Sequence, residues 1–177
     1  MFKITSQLLL FADRKYSSTQ IDAPKNIADI VMNFNKENIK EKDLFKSDDS
    51  FGREKNVHIT VKFGIHTKNA DEIKGIVSDF GGFDIELGTV SKFESDEYDV
   101  IKVSVKSPQL HELNKLIADS TECTDTHPKY IPHLTLAYVK PGSCDFLLDN
   151  EELDGLSWHV REIVFSSVDE EKSNISL

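Results

Sequence analysis

Two of the six histidines, His58 and His133, are each followed two places on by a threonine, in the runs His58-Ile59-Thr60-Val61 and His133-Leu134-Thr135-Leu136. With nine threonines in 177 residues, two such pairs arise by chance in on the order of a few per cent of chains, before apolar neighbours are required. Both runs alternate as strands do, so His and Thr share one face and the aliphatic residues the other. A polar face of this kind needs a wet cleft or bonding partners. Two imidazoles, each with an ordinary pKa of about 6.5, hold opposite protonation states near neutral pH. One takes a proton from an attacking oxygen and the other supplies one to a leaving oxygen. A hydroxyl two residues along the same face donates to a non-bridging phosphate oxygen, where charge develops in the transition state. The chemistry that this spacing fits is phosphodiester cleavage without a metal. The competing reading is a strand rim whose threonines were chosen for β propensity.

The elements that must carry these residues are legible from periodicity. Residues 4–11 and 16–21 read as short strands joined at 13–15, and Pro24 opens a helix to about Asn38, with Asp22 before it as a candidate cap. Residues 40–56 are charged, lack sustained periodicity and read as a loop over or beside a site. Val57–Phe63 is the clearest strand, stopped by Gly64. Asn69 caps a helix whose apolar face is Ile73, Ile76, Val77 and Phe80, ended by Gly81-Gly82. Strands follow at 83–92 and 98–106, then a helix from Pro108, a polar loop, and the strand His133–Val139 closed by Lys140-Pro141-Gly142. The tail offers one strand at about 158–168 and a polar end expected to fray from about 170. This order of strands and helices predicts an α+β fold within one domain over 1–177.

Composition narrows the partners. The net charge of −10 disfavours long nucleic acid, whose binders neutralise many phosphates with Lys and Arg, but leaves a small anionic ligand open. Cys123 and Cys144 form no CxxC pair, and no apolar run approaches the roughly 20 residues of a membrane span. The first residues do not resemble a signal peptide, so the expected setting is the cytoplasm, with no membrane partner and no cofactor. Asp125, His127 and His133 lie close in sequence, but Pro128 and Pro132 break any ligand register, and no metal is expected.

Further candidates flank the pairs. Lys62 continues the alternation of His58 and Thr60 and is placed to touch phosphate, with a solvated strand-end lysine as the plain alternative. His66, in the turn that follows, is a candidate cleft residue. Tyr130, three places before His133, is a candidate surface for stacking a base. Trp158 reads as core or rim, and His111 and His159 receive no role.

With these residues in view, the chain resembles the 2H phosphoesterase superfamily, whose signature is a pair of His-x-Thr strands. The phrases VHITVKFGIHT and THPKYIPHLTLAYVKPG further resemble the phage anti-CBASS phosphodiesterases, which degrade cyclic oligonucleotide signals of antiphage defence. The resemblance is dense from Gly52 to Gly142 and thin elsewhere, and both His-x-Thr pairs are intact. It implies a bilobal fold, with two antiparallel or mixed sheets flanking a central cleft and helices outside. It also implies that His58 and His133 share acid and base while Thr60 and Thr135 hold the phosphate of a cyclic di- or trinucleotide. A 2′,3′-cyclic phosphodiesterase or RNA-end enzyme is the alternative within the superfamily, and a nucleotide-binding sponge the alternative outside catalysis.

Overall fold

The computed structural model describes residues 16–48, 50–125 and 127–177, so the strand expected over 4–11 lies outside the described residues. In chain order the elements are β1 (Ser17–Asp22), α1 (Lys25–Asn38), β2 (His58–Ile65), α2 (Ala70–Val77), β3 (Phe83–Glu94), β4 (Asp99–Lys106), α3 (Pro108–Ser120), β5 (His133–Val139), β6 (Ser157–Val160), β7 (Glu162–Ser166) and β8 (Lys172–Ser176). Helix α1 buries Ile27, Val31 and Phe34 at helical spacing. Its N-cap is Pro24 with no side-chain bond, and Asp22 instead ends β1 and accepts the Gln20 amide at 2.6 Å. Helix α2 is capped as expected, Asn69 Oδ1 accepting from the Asp71 amide at 3.0 Å, but stops at Val77 short of Phe80. The tail is more ordered than its polarity suggests. The single strand expected at 158–168 is two, broken at Arg161, and the end expected to fray is β8, paired with β7.

All strands join one antiparallel sheet in the order β6-β3-β4-β5-β2-β1-β7-β8, curled into a half-barrel, where two sheets had been expected. The joint is a single bridge, Ile59 of β2 to Leu134 of β5, both fully buried. Because opposed residues of an antiparallel pair point to the same face, burying both locks the two halves into one surface. The order is palindromic about this joint, with β1-α1-β2 on one side answering β4-α3-β5 on the other.

The helices cross over the joint. Helix α1 lies against β5 and α3 against β2, so each half is covered by the other half's helix. An asparagine on each helix meets the strand backbone beneath it. Asn35 Nδ2 donates to the Leu136 carbonyl at 2.6 Å, and Asn114 Nδ2 donates to the Val61 carbonyl at 2.7 Å. Arg53 fixes the first of these by donating to Asn35 Oδ1 at 2.7 Å and to the Asn35 and Ile39 carbonyls at 2.6 and 2.8 Å. The Asn35 carbonyl, which already accepts the Ile39 amide at 3.0 Å, thereby gains a second donor at the helix end. Among the described residues, no helix is long and apolar enough to cross a membrane.

Candidate active site

Since Ile59 and Leu134 face the core, His58, Thr60, His133 and Thr135 all face the opposite, helix-free side of the sheet. Continuing the register of the bridge sets His58 across from Thr135 and Thr60 across from His133. The two histidines are then diagonal neighbours, about 7–8 Å apart in regular pairing.

Both strands change phase after the motif, and in the same way. Their burial runs half-buried, buried, half-buried, then two buried residues in succession: Val61-Lys62 on β2 and Leu136-Ala137 on β5. Each double marks a β-bulge, seen as a register shift against β1 and β4 respectively. The carbonyls at these bulges, of Val61 and Leu136, are the ones that Asn114 and Asn35 hold. Parity beyond each bulge is reversed. Lys62 therefore leaves the His58–Thr60 face, contrary to simple alternation, and stands opposite Thr19 of β1, a core-facing residue. Its ammonium is neutralised by Asp125 at 2.5 Å. The face it vacates is taken by Phe63, opposite Ser18, and on β5 by Tyr138, opposite Val100. An aromatic ring thus lies beyond each threonine, at opposite ends of the site. Tyr138 packs edge-on to Phe51 and Tyr98 at 5.2 and 5.6 Å, which draws the 40–56 loop against the site.

The imidazoles are held alike. His58 Nδ1 lies 2.7 Å from the Asn56 carbonyl and His133 Nδ1 2.7 Å from the Ile131 carbonyl. A carbonyl only accepts, so Nδ1 carries hydrogen in both rings and Nε2 is the atom left for proton transfer. The two differ in surroundings. The edge-on Phe93 ring is 5.0 Å from His133. Burial, against the opposing pull of the Ile131 carbonyl and helped by the charges of Lys102, His58 and His127, lowers the His133 pKa to about 4. His133 is thus neutral at physiological pH, with a lone pair on Nε2.

This shift has a stability consequence. The folded-state pKa lies below that of the unfolded chain, so between about pH 6.5 and 4 the unfolded state binds more protons and the fold weakens as pH drops. Replacing His133 by Asn is expected to flatten the rise of the urea midpoint with pH in that window and nowhere above it. Parallel curves for parent and variant between pH 4 and 6.5 would show that His133 titrates as in the unfolded chain.

The other candidates fall elsewhere. Tyr130 is near the motif but is not a free stacking surface: its hydroxyl donates to the Thr60 carbonyl at 2.9 Å and its ring meets His111 at 5.4 Å. Burial raises its pKa, keeping it a donor. His66 lies eight residues along β2 from His58, about 25 Å at strand rise, bonded to Thr124 Oγ1 at 2.8 Å and stacked on Tyr16. Trp158 pairs on β6 against Ile85, and His159 Nδ1 meets Asp84 at 2.8 Å. Among the described residues, no three His, Cys, Asp or Glu side chains gather as a metal site would need.

Sequence reasoning missed Lys102. It occupies the helix-free face of β4 beside Thr135, in the run Val100-Ile101-Lys102-Val103-Ser104-Val105. That alternation was available as a signal, since Ile101, Val103 and Val105 are buried in the core and leave Lys102 and Ser104 on the site's face.

A family model, the 2′-5′ RNA ligase superfamily, matches residues 34–172. The chain belongs to that superfamily. Its members, also termed 2H phosphoesterases, are phosphodiesterases, which supports a hydrolase here. Solved structures of similar fold include one described as a phosphoesterase, at TM-score 0.59 and 15% identity over 92% of this chain and 95% of that one. E. coli LigT complexed with phosphate gives 0.57 at 15% over 92% and 94%, and Kluyveromyces marxianus Usb1 gives 0.56 at 9% over 93% and 99%. No curated protein sequence matches the chain.

Proposed function

We propose that this superfamily member is a metal-independent phosphodiesterase that opens 3′–5′ linkages in small cyclic oligonucleotides, countering cyclic-nucleotide defence in the cytoplasm of a phage-infected bacterium. The observation that carries the phosphodiesterase reading is the pair of imidazoles, each with Nδ1–H on a carbonyl two residues back, facing one another diagonally beside two threonines. The cyclic oligonucleotide reading is finer. It is supported by the wording around both motifs, by the acidic net charge and by the aromatic residues Phe63 and Tyr138 beyond either threonine.

In this mechanism His133, the neutral imidazole, takes the proton of a ribose 2′-hydroxyl at Nε2. The O2′–P bond forms while the P–O5′ bond breaks. His58, entering the step as an imidazolium with hydrogen on both nitrogens, gives its Nε2 proton to O5′ and is left neutral, leaving a 2′,3′-cyclic phosphate and a 5′-hydroxyl. Thr60 and Thr135 donate to the non-bridging oxygens.

Incubation with cyclic di- and trinucleotides and 2′,3′-cyclic AMP in EDTA tests this. Linearised cyclic oligonucleotides are expected. Opening of 2′,3′-cyclic AMP alone would move the reading to RNA-end chemistry, and retention of intact ligand would make the protein a sponge. Activity lost in EDTA and restored by zinc or magnesium would overturn the metal-free step.

A further inference from the structure

Among the described residues three lysines are sheltered in the sheet, and one of them has no acidic partner there. Lys62 is paired with Asp125, and Lys92 with Glu94, Asp99 and Asp145. Lys102 is 5% exposed, donates to Ser91 Oγ at 2.7 Å and lies 4.3 Å from the centre of the Phe93 ring. Among the described residues no carboxylate pairs with it, and its burial pulls its pKa down. An ammonium has three donors, and the serine uses one. Burying a cation without its counter-charge is costly, and the cost is relieved if the anion arrives with the ligand.

Its position says which anion. The phosphate being cleaved belongs between β2 and β5, among the histidines and threonines. Lys102 is one strand further out, on the His133 side, with the Phe93 ring touching both. The matching position in the other half, opposite Thr60, is the neutral Gln20. The positive charge is therefore one-sided and offset from the reacting phosphorus. We propose that Lys102, with Ser91, forms a subsite for a second phosphate of the substrate, next to the linkage being broken. The proposal rests on the phosphodiesterase reading and specifies the substrate class as nucleotides with at least two phosphates.

The test compares parent with Lys102→Met, which keeps the apolar stem, and Lys102→Gln, which keeps a donor for Ser91. The 3′–5′ dinucleotide ApA is offered with and without a 5′-phosphate. The parent is expected to favour the doubly phosphorylated compound by about 10–100-fold in kcat/KM, the scale of one hydrogen bond to a charged group. Both variants are expected to lose far more on the doubly than on the singly phosphorylated compound, so that the preference disappears. Equal losses on both compounds, or no preference in the parent, overturn the subsite. Thermal shifts separate this from failure of the phosphodiesterase reading, because they need no turnover. Adenosine 3′,5′-bisphosphate is expected to raise the parent's Tm more than 3′-AMP does, and the variants to lose the excess. That excess without any cleavage would sink the phosphodiesterase reading alone; its absence sinks the subsite.

Discussion

Replacing His58 by alanine is expected to lower turnover of a 3′–5′ linkage by about 10²–10⁴-fold, the range for losing a positioned acid or base. A sulfur in place of the bridging 5′ oxygen is expected to restore most of that loss. A thiolate leaves without being protonated, so a substrate of that kind has no need of the acid. His133→Ala is expected to cost as much and to gain nothing from the sulfur, because the 2′-hydroxyl must still surrender its proton. The assignment follows from the environments: His133 is held neutral by burial and by the nearby Lys102 charge, so the base is already unprotonated when substrate arrives. Single-turnover rates on the oxygen and sulfur substrates, for parent and both variants, decide it. Rescue of His133→Ala instead of His58→Ala would exchange the roles, and an undiminished rate in either variant would remove that histidine from the chemistry. Both variants are expected to fold, since both rings lie on the helix-free face and neither is fully buried.

The near-twofold arrangement explains how one short motif comes to stand in two different surroundings. Each half supplies the same parts in the same order: an Nδ1-anchored histidine, a threonine, a bulge whose carbonyl is held by an asparagine from the opposite half, and an aromatic side chain. The same Nδ1 anchor on each half leaves Nε2 as the available nitrogen of both rings. The next strand out breaks the symmetry, with Lys102 beside Thr135 where Gln20 stands beside Thr60. The scaffold thus sets geometry twice, and burial above all holds His133 neutral.

What could be read from the chain follows the same division. His58, Thr60, His133 and Thr135 were legible because a period of two is a local property, and the structure puts all four on one face. Lys62 was misplaced because a bulge is recorded only in the register with a neighbour, here the shift between Thr19 and Gln20. Nothing in Val61-Lys62 or Leu136-Ala137 distinguishes a bulge from plain strand. The union of the sheet rests on one bridge between residues 75 positions apart in sequence, which no local pattern encodes. Tyr130, read as a candidate stacking surface from its place three residues before His133, has its hydroxyl on the β2 backbone, a long-range contact that no local pattern shows. The tail was misjudged because polar residues on an edge strand look like a frayed end until β7 is there to pair with them.

Gly64→Ala is expected to be the most damaging small substitution outside the site. Gly64 has φ +87°, and a Cβ there would sit 2.0 Å from the Thr124 carbonyl oxygen and 3.0 Å from its carbon. That carbonyl belongs to the segment that borders the far end of β2 once β5 has parted from it. Thr124 N donates to Gly64 O at 2.8 Å, His66 N to Glu122 O at 3.0 Å, and Ile65 bridges Cys123. Backbone hydrogen-bonded on both sides cannot swing aside as a side chain would. The left-handed conformation costs about 1–2 kcal/mol for an L residue and forced overpacking about 1–3 more. For a chain of this size the total corresponds to a fall in Tm of roughly 5–15 °C. Gly81→Ala supplies the control: φ is +82°, with no atom within 4 Å of the added carbon, so only the conformational part is incurred. The difference between the two variants isolates the contact with Thr124. Equal melting points would mean that the 122–125 segment yields readily, and that the parting of β2 from β5 is held by Tyr130 and Asn114 on the Thr60 and Val61 carbonyls instead.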